Sequence, residues 1–223
     1  MLSRTFAAAV CLAAWSSLAL AQPTPVGPEF QVNVYSKGLQ AVGGIASDAH
    51  GEFVVAWESG FYPSPEPTQD GSAAGVFIRR FDSGGNPLSG DIQVNVFTPG
   101  DQRSPAVDRS PDGDFVVVWW SFDQIGKDRS TVYGRRFTPE GTPKGSEFRL
   151  GSRTDLNEVI PSVGVCPDGS FVAAWQSESQ IFSRWFDPSG TPRQDEAQVS
   201  SGGYPTNQFT DVDCDSEGRS VIV

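Results

Sequence analysis

The sequence predicts an all-β chain built as an array of four-stranded antiparallel blades, and three observations predict it. First, "GEFVVAW" (51–57), "GDFVVVW" (113–119) and "GSFVAAW" (169–175) are one recurring element, and "GRSVIV" (218–223) begins a fourth copy. Second, each copy is an unbroken apolar run of strand-forming residues, far too short to span a membrane. Third, the copies keep strict register with two further repeats. These are "RRFDSGGNPLSG" (79–90), "RRFTPEGTPKG" (135–145) and "RWFDPSGTPR" (184–193), and "FQVNV" (30–34), "IQVNV" (92–96), "FRLGS" (148–152) and "AQVSS" (197–201).

Within the second repeat the strands read "SPAVDRS", "DFVVVWWS", "TVYGRRFT" and "SEFRLGS". A tight "PDGD" turn joins the first two, and the Gly/Pro turn "PEGTPKG" joins the last two. From the start of "FQVNV" and its copies to the turn glycine is always 21 residues; from the Phe of the arginine element to the next such start is always 11. Only the step from the strand-ending Trp to that Phe varies, from 24 (57 to 81) to 18 (119 to 137) to 11 (175 to 186). A rigid scaffold with one adjustable loop per repeat has this signature. Four strands every 49 to 62 residues are β-propeller blades, about three and a half of them in this chain. The unbroken apolar run then marks a second strand covered on both faces by neighbouring blades. The expected order is an outer strand over 28–36, blade 1 over about 40–97, blade 2 over about 103–152, blade 3 over about 159–201 and the start of blade 4 over about 208–223. Three and a half blades do not close a ring, so the sequence reads as part of a longer chain continuing with Trp at 224.

Residues 1–21 read as an export signal. Arg4 supplies the basic start, "FAAAVCLAAWSSLAL" the apolar core, and Ala19-Leu20-Ala21 the small-x-small cleavage site. The expected location is secreted, periplasmic or at the cell surface, with no membrane span after cleavage. The remaining chain holds 15 basic and 27 acidic residues, net −12, which argues against a nucleic-acid partner. Only Cys166 and Cys214 remain in it. They fall on the first strands of adjacent blades, one position out of register, so one blade handedness brings them together as a disulfide and the other aims them apart.

The combined pattern DGxFVVxW … RRFDxxGxPxGxEFQVN, over about residues 28–223, resembles the tandem β-propeller-type repeats of large exported bacterial proteins. That resemblance implies export, a propeller-like fold and adhesive or ligand-binding roles, with no catalytic residues to carry over. Repeat three departs from it, with Ser183 and Trp185 in place of arginines and almost no variable loop. A looser resemblance links "DVDCDSEG" (211–218) to the calcium-binding loops of integrin-type propellers. Asp211, Asp213 and Asp215 alternate, so a strand would present all three to one face and to an oxygen-seeking cation such as calcium. The competing reading is a solvated axial lining, since small or polar residues recur at the equivalent positions.

No catalytic residue is predicted. His50, the only histidine, stands at a turn position, and no G-x-S-x-G supplies a nucleophile. The arginine pairs at 79–80 and 135–136 repeat with the scaffold, which assigns them to contacts between blades. The leading reading is a binding or adhesion module whose glycan or protein ligand meets the variable-loop face. Its candidate residues are Trp57, Glu58, Phe61, Tyr62, Asp70, Trp120, Phe122, Asp123 and Asp128, with Glu66 beside them. A carbohydrate-active hydrolase or lyase and a purely structural array are the alternatives.

Overall fold

The computed structural model describes residues 27–60, 68–200 and 210–223, and the fold set out here is that of Gln31–Val223. Residues 27–30 belong to a separate unit and form no strand.

Blade 1 is β1 (Gln40–Ser47), β2 (Phe53–Ser59), β3 (Gly75–Phe81) and β4 (Ile92–Gln93). Blade 2 is β5 (Gln102–Arg109), β6 (Phe115–Phe122), β7 (Ser130–Phe137) and β8 (Phe148–Arg149). Blade 3 is β9 (Glu158–Val165), β10 (Phe171–Ser177), β11 (Gln180–Phe186) and β12 (Ala197–Gln198). The hairpin β13 (Val212–Cys214) and β14 (Ser220–Ile222) begins a fourth. Each of the three blades is an antiparallel sheet with its strands in chain order. Successive first strands pack against one another, β1 on β5, β5 on β9 and β9 on β13, forming the inner lining of a propeller-like array.

The seams between blades explain the apolar runs. In β6, Phe115, Val117 and Trp119 pack toward blade 1, among Val54, Ala56, Val76 and Ile78. The alternate residues Val116 and Val118 pack toward blade 3, among Phe171, Ala173 and Trp175. In β10 the next set, Val172 and Ala174, meets Val212 of β13. Side chains still alternate, but both faces are core, so the polar half of the alternation disappears.

Outer strands are shorter than the sequence suggested. Each keeps two paired residues and one further backbone bond, and in blades 1 and 3 a side chain then takes over from the ladder: Asn95 Oδ1 accepts the Val76 N–H, and Ser200 Oγ accepts that of Ile181. The segment expected as an outer strand over 28–36 pairs with no strand among the described residues. Its residues 31–36 are held instead by Asp91, whose carboxylate accepts the N–H groups of Val34 and Tyr35, and by Arg79, which donates to the Val32 carbonyl.

Those two clasps recur. Glu147 accepts from Val96 N and Glu196 from Ser152 N, while Arg135 donates to Val94 O and Arg184 to Leu150 O. The second arginine reaches the other way, Arg80 to Glu140 O and Arg136 to Pro188 O. The arginines therefore link blades, as their repetition implied. One alignment is corrected: Arg184, opposite Ala173, is the counterpart of Arg79 and Arg135, so Ser183 is not at an arginine position and only Trp185 replaces one.

A third junction position does not recur. Arg109, 5% exposed, reaches Asp48 of blade 1 with Nη2 3.0 Å from Oδ2. At the next seam the counterparts are Ser110 and Val165. At the last they are Cys166 and Cys214, joined as a disulfide with Cα atoms 5.1 Å apart, the first of the two arrangements left open by the sequence.

At the head of the inner strand, Gln40 donates to Lys37 O and Ser59 Oγ, and Gln102 donates to Pro99 O and accepts from Asn95. Glu158 replaces this amide in blade 3 and is fully buried. It accepts from Thr131 Oγ1, and its Oε1 has no hydrogen-bond partner. Burial pushes its carboxyl above the usual range, against the smaller opposing effect of the Thr131 hydrogen bond. Because the folded-state value is raised, the protonated form is the one the fold favours. Its contribution is complete below the ordinary glutamate range and is lost as pH rises through the folded value. Glu158→Gln is therefore expected to stabilise the protein by about 1–2 kcal/mol at pH 7, and by much less at pH 4. Urea unfolding of both proteins at the two pH values measures this, and an equal effect at both would remove titration of Glu158 as the cause.

Candidate functional site

Strands β1, β5 and β9 begin at the end of the array where β2, β6 and β10 finish and the variable loops leave. A depression of about 410 Å³ opens there around the inner lining, and all four blades contribute to it. Ala41 and Gly43 come from β1, Ser104–Ala106 from β5, Ile160–Ser162 from β9, and Thr210 and Asp211 precede β13, with Glu58 from the end of β2.

Its walls are β-bulges. The pairing register slips between Val42 and Gly44, between Arg103 and Ala106, and opposite Ala174–Gln176 in blade 3. Gly43, Pro105 and Pro161 share one repeat position, and a Cβ on Gly43 would overlap the Pro105 carbonyl. A proline inside a strand removes a ladder donor and so belongs at a bulge. Just before these prolines, Ser104 (φ 49°) and Ile160 (φ 50°) lie in the left-handed region. A β-branched residue there costs on the order of 1–3 kcal/mol, and such strain concentrates at binding and catalytic sites.

The bulges are pinned by polar contacts. Glu58 Oε2 accepts the Ser104 N–H at 2.7 Å, Trp120 Nε1 donates to Ser104 Oγ at 3.2 Å, and the Ser162 and Thr210 hydroxyls are 2.9 Å apart. Deeper along the axis Asp108 accepts from Val165 N. Burial pushes its carboxyl up, and the negative charges of Asp213 and Asp211 add to the shift.

The sequence candidates separate on this geometry. Glu58 and Asp211 line the depression, and Trp120 touches its wall through Ser104. Trp57 does not belong to the loop face: it is 2% exposed and packs on Phe77 inside blade 1, as Trp119 packs on Tyr133 in blade 2. The alternation of the strand turns Trp119 toward the preceding blade and the following residue Trp120 toward the next, as Glu58 reaches Ser104 of blade 2. Phe61, Tyr62 and Glu66 lie outside the described residues. Asp70 sits within its own loop, accepting from Thr68 Oγ1 and Ser72 N, with its carboxyl raised by burial. Asp123 (φ 64°) and Asp128 (φ 59°) close the blade 2 loop on itself, Asp128 N donating to Asp123 Oδ1. Phe122 is half-buried at the end of β6.

The three alternating aspartates do not share one face. The strand stops at Cys214, and Asp215 turns back to accept from Glu217 N and Arg219 N and to pair with the Arg219 guanidinium at 2.8 Å. Among the described residues no three His, Cys, Asp or Glu side chains are gathered as a metal site. His50 is an exposed turn residue whose N–H donates to Asp48. Sequence reasoning missed Ser104, Ile160 and Thr210. The legible signal was the Gly or Pro at 43, 105 and 161, each eight residues before a turn glycine.

The fold and this axial depression define the class: an all-β, propeller-like array of four-stranded antiparallel blades. No family model matches the chain, and no curated protein matches it. Among solved structures it is similar to an α-L-arabinanase from Penicillium chrysogenum complexed with arabinobiose, at 16% identity and TM-score 0.49 over 77% of this chain and 49% of that one. It is similar also to a protein of unknown function from Dyadobacter fermentans (11% identity, 86% and 77% of the two chains, TM-score 0.37). A third similar structure is the Dos1 propeller (12% identity, 82% and 66%, TM-score 0.32). The chain thus spans about half the length of the arabinanase.

Proposed function

We propose that the chain is an exported, non-catalytic binding or adhesion module that takes a glycan or protein ligand at the axial depression on its variable-loop face. The observation that carries this reading is the coincidence of the two features. The loops that differ in length from blade to blade leave at the end where strained, bulged inner strands open a depression. Glu58 and Asp211 supply carboxylates there and Trp120 stands behind the wall on Ser104, a combination suited to sugar hydroxyls or a polar peptide. A glycan and peptide screen should compare wild type with Trp120→Ala and with a variant whose 60–74 loop is cut to the two-residue turn of blade 3. Affinity is expected to fall at least about tenfold in each, as for loss of a central aromatic contact. Unchanged binding by a folded, loop-shortened protein would move the site off this face.

A hydrolase on the same axis is the second reading, and it rests on Asp108, whose raised carboxyl faces Asp211 and Asp213. Cleavage of a bound glycan by wild type but not by Asp108→Asn would establish it in place of the first.

A further inference from the structure

At the opposite end, where the tight turns lie, a cleft of about 230 Å³ opens between blades 2 and 3. The repeat shows what such a place holds. At the seam between blades 1 and 2 the equivalent space is filled by the Arg109 side chain, which rises from the end of β5. Its Nε donates to Gly113 O, and its Nη2 lies 3.0 Å from Asp48 and 3.6 Å from Glu52. Between blades 2 and 3 the residue equivalent to Arg109 is Val165, too short to fill the space. The same surroundings persist around it: Asp114 stands for Glu52, Arg136 for Arg80 and Gly169 for Gly113, all lining the cleft. Asp48 has become Ser110.

The cleft is lined by the buried residues Phe115, Val116, Phe137 and Val165, of which Val116 and Val165, from the two facing blades, offer apolar surface to an aliphatic stem. Its rim carries three carboxylates, Asp112, Asp114 and Asp168, against two cations, Lys144 and Arg136. The Arg136 guanidinium is engaged with the carbonyls of Pro188 and Lys144, so it does not neutralise the rim carboxylates directly. Lys144 pairs with Asp114 at 2.5 Å and Arg193 with Asp168 at 3.5 Å, so a cation entering beside Asp114 must displace the half-exposed Lys144 ammonium. A cationic neighbour is no bar to a guanidinium, since in the filled seam Arg80 and Arg109 share the Glu52 carboxylate, at 3.7 and 3.6 Å.

We propose that this cleft is a receptor for an arginine side chain from outside the fold, which takes the place that Arg109 occupies one blade earlier. The chain's net charge of −11 favours the approach of such a cation. The site lies at the other end of the array from the axial depression and does not depend on it.

The test is titration of the intact protein, followed by amide NMR shifts, with N-acetyl-argininamide, N-acetyl-citrullinamide and an arginine-containing peptide. The arginine derivative is expected to bind with millimolar affinity, as a single side chain should. Its shifts should centre on 110–116 and 165–169, with the neutral citrulline isostere at least tenfold weaker. A peptide binding more tightly than the single residue identifies a polypeptide source; equal affinities identify the free amino acid derivative as sufficient. Val165→Arg should fill the cleft from within and abolish binding. Val165→Met, carrying a stem without a charge, should do the same if the arginine variant folds poorly. Lys144→Ala, freeing Asp114, should tighten binding several-fold. Equal binding of citrulline and arginine, or arginine binding retained by either folded Val165 variant, would overturn the proposal.

Discussion

Arg109→Ala is expected to destabilise the protein by about 3–5 kcal/mol, more than any other single side-chain removal in the inner lining. The Arg109 side chain is 1% exposed and that of Asp48 5%, so the substitution leaves a buried carboxylate facing a hole. Asp48 keeps the turn hydrogen bonds from His50 N and Glu52 N, which hold it in place without its counter-charge. A fall in melting temperature of roughly 10 °C follows for a domain of this size. The next seam supplies the control, because it dispenses with the pair altogether. The double variant Asp48→Ser/Arg109→Val copies Ser110 and Val165, removes both charges, and should recover at least half of the loss. A double variant as unstable as Arg109→Ala would show that the lost packing of the arginine stem, and not the stranded charge, is responsible.

The repeat itself was legible because it is written in what recurs. Phe-Val-Val-x-Trp without polar alternation states that both faces of β2, β6 and β10 are covered, and the seams made by Val116/Val118 and Val172/Ala174 are where that cover comes from. The arginine pairs were legible for the same reason. The axial depression was not, because its walls are bulges. A bulge shifts pairing by one residue without changing the spacing between turn glycines, so Pro105 in "SPAVDRS" reads as an ordinary member of a first strand. Trp57 failed for a related reason. Standing last in a strand and next to a loop, it reads as part of the loop face, yet the period of two buries it on Phe77 and puts Glu58, on the other face of β2, against Ser104 of blade 2. In blades 1 and 3 the outer strands read as longer than they are because Asn95 and Ser200 continue the hydrogen bonding with side chains, which no backbone pattern records. What differs between repeats was hardest to read. Arg109, Val165 and Cys214 occupy one position, and only alignment on the turn glycines shows that an ion pair, a cleft and a disulfide are three versions of one junction.

The disulfide gives the second large effect. Cys166 and Cys214 close a loop of 48 residues, for which the chain-entropy account gives about 4 kcal/mol of stabilisation at 25 °C. Packing on blade 3 also holds the last hairpin. Val212 packs against Val172, Ala174 and Ile181, the hydroxyls of Ser162 and Thr210 meet, and Gly164 lies against β13 closely enough that a Cβ there would crowd Val212. Loss of the bond should be felt locally before it is felt globally. In Cys166→Ser/Cys214→Ser, amide exchange is expected to rise first over 212–222, while β6 and β10, buried on both faces, keep their protection. The global unfolding midpoint should then fall on top of that local release. Cys166 is fully buried, so the serine pair also strands a hydroxyl; Cys166→Ala/Cys214→Ala separates that cost from the loss of the crosslink. Thiol titration of unfolded, unreduced protein from an oxidising compartment should find no free cysteine at 166 or 214. Two reactive thiols in that material, or unchanged exchange over 212–222 in the alanine pair, would mean that the hairpin is held by its packing alone.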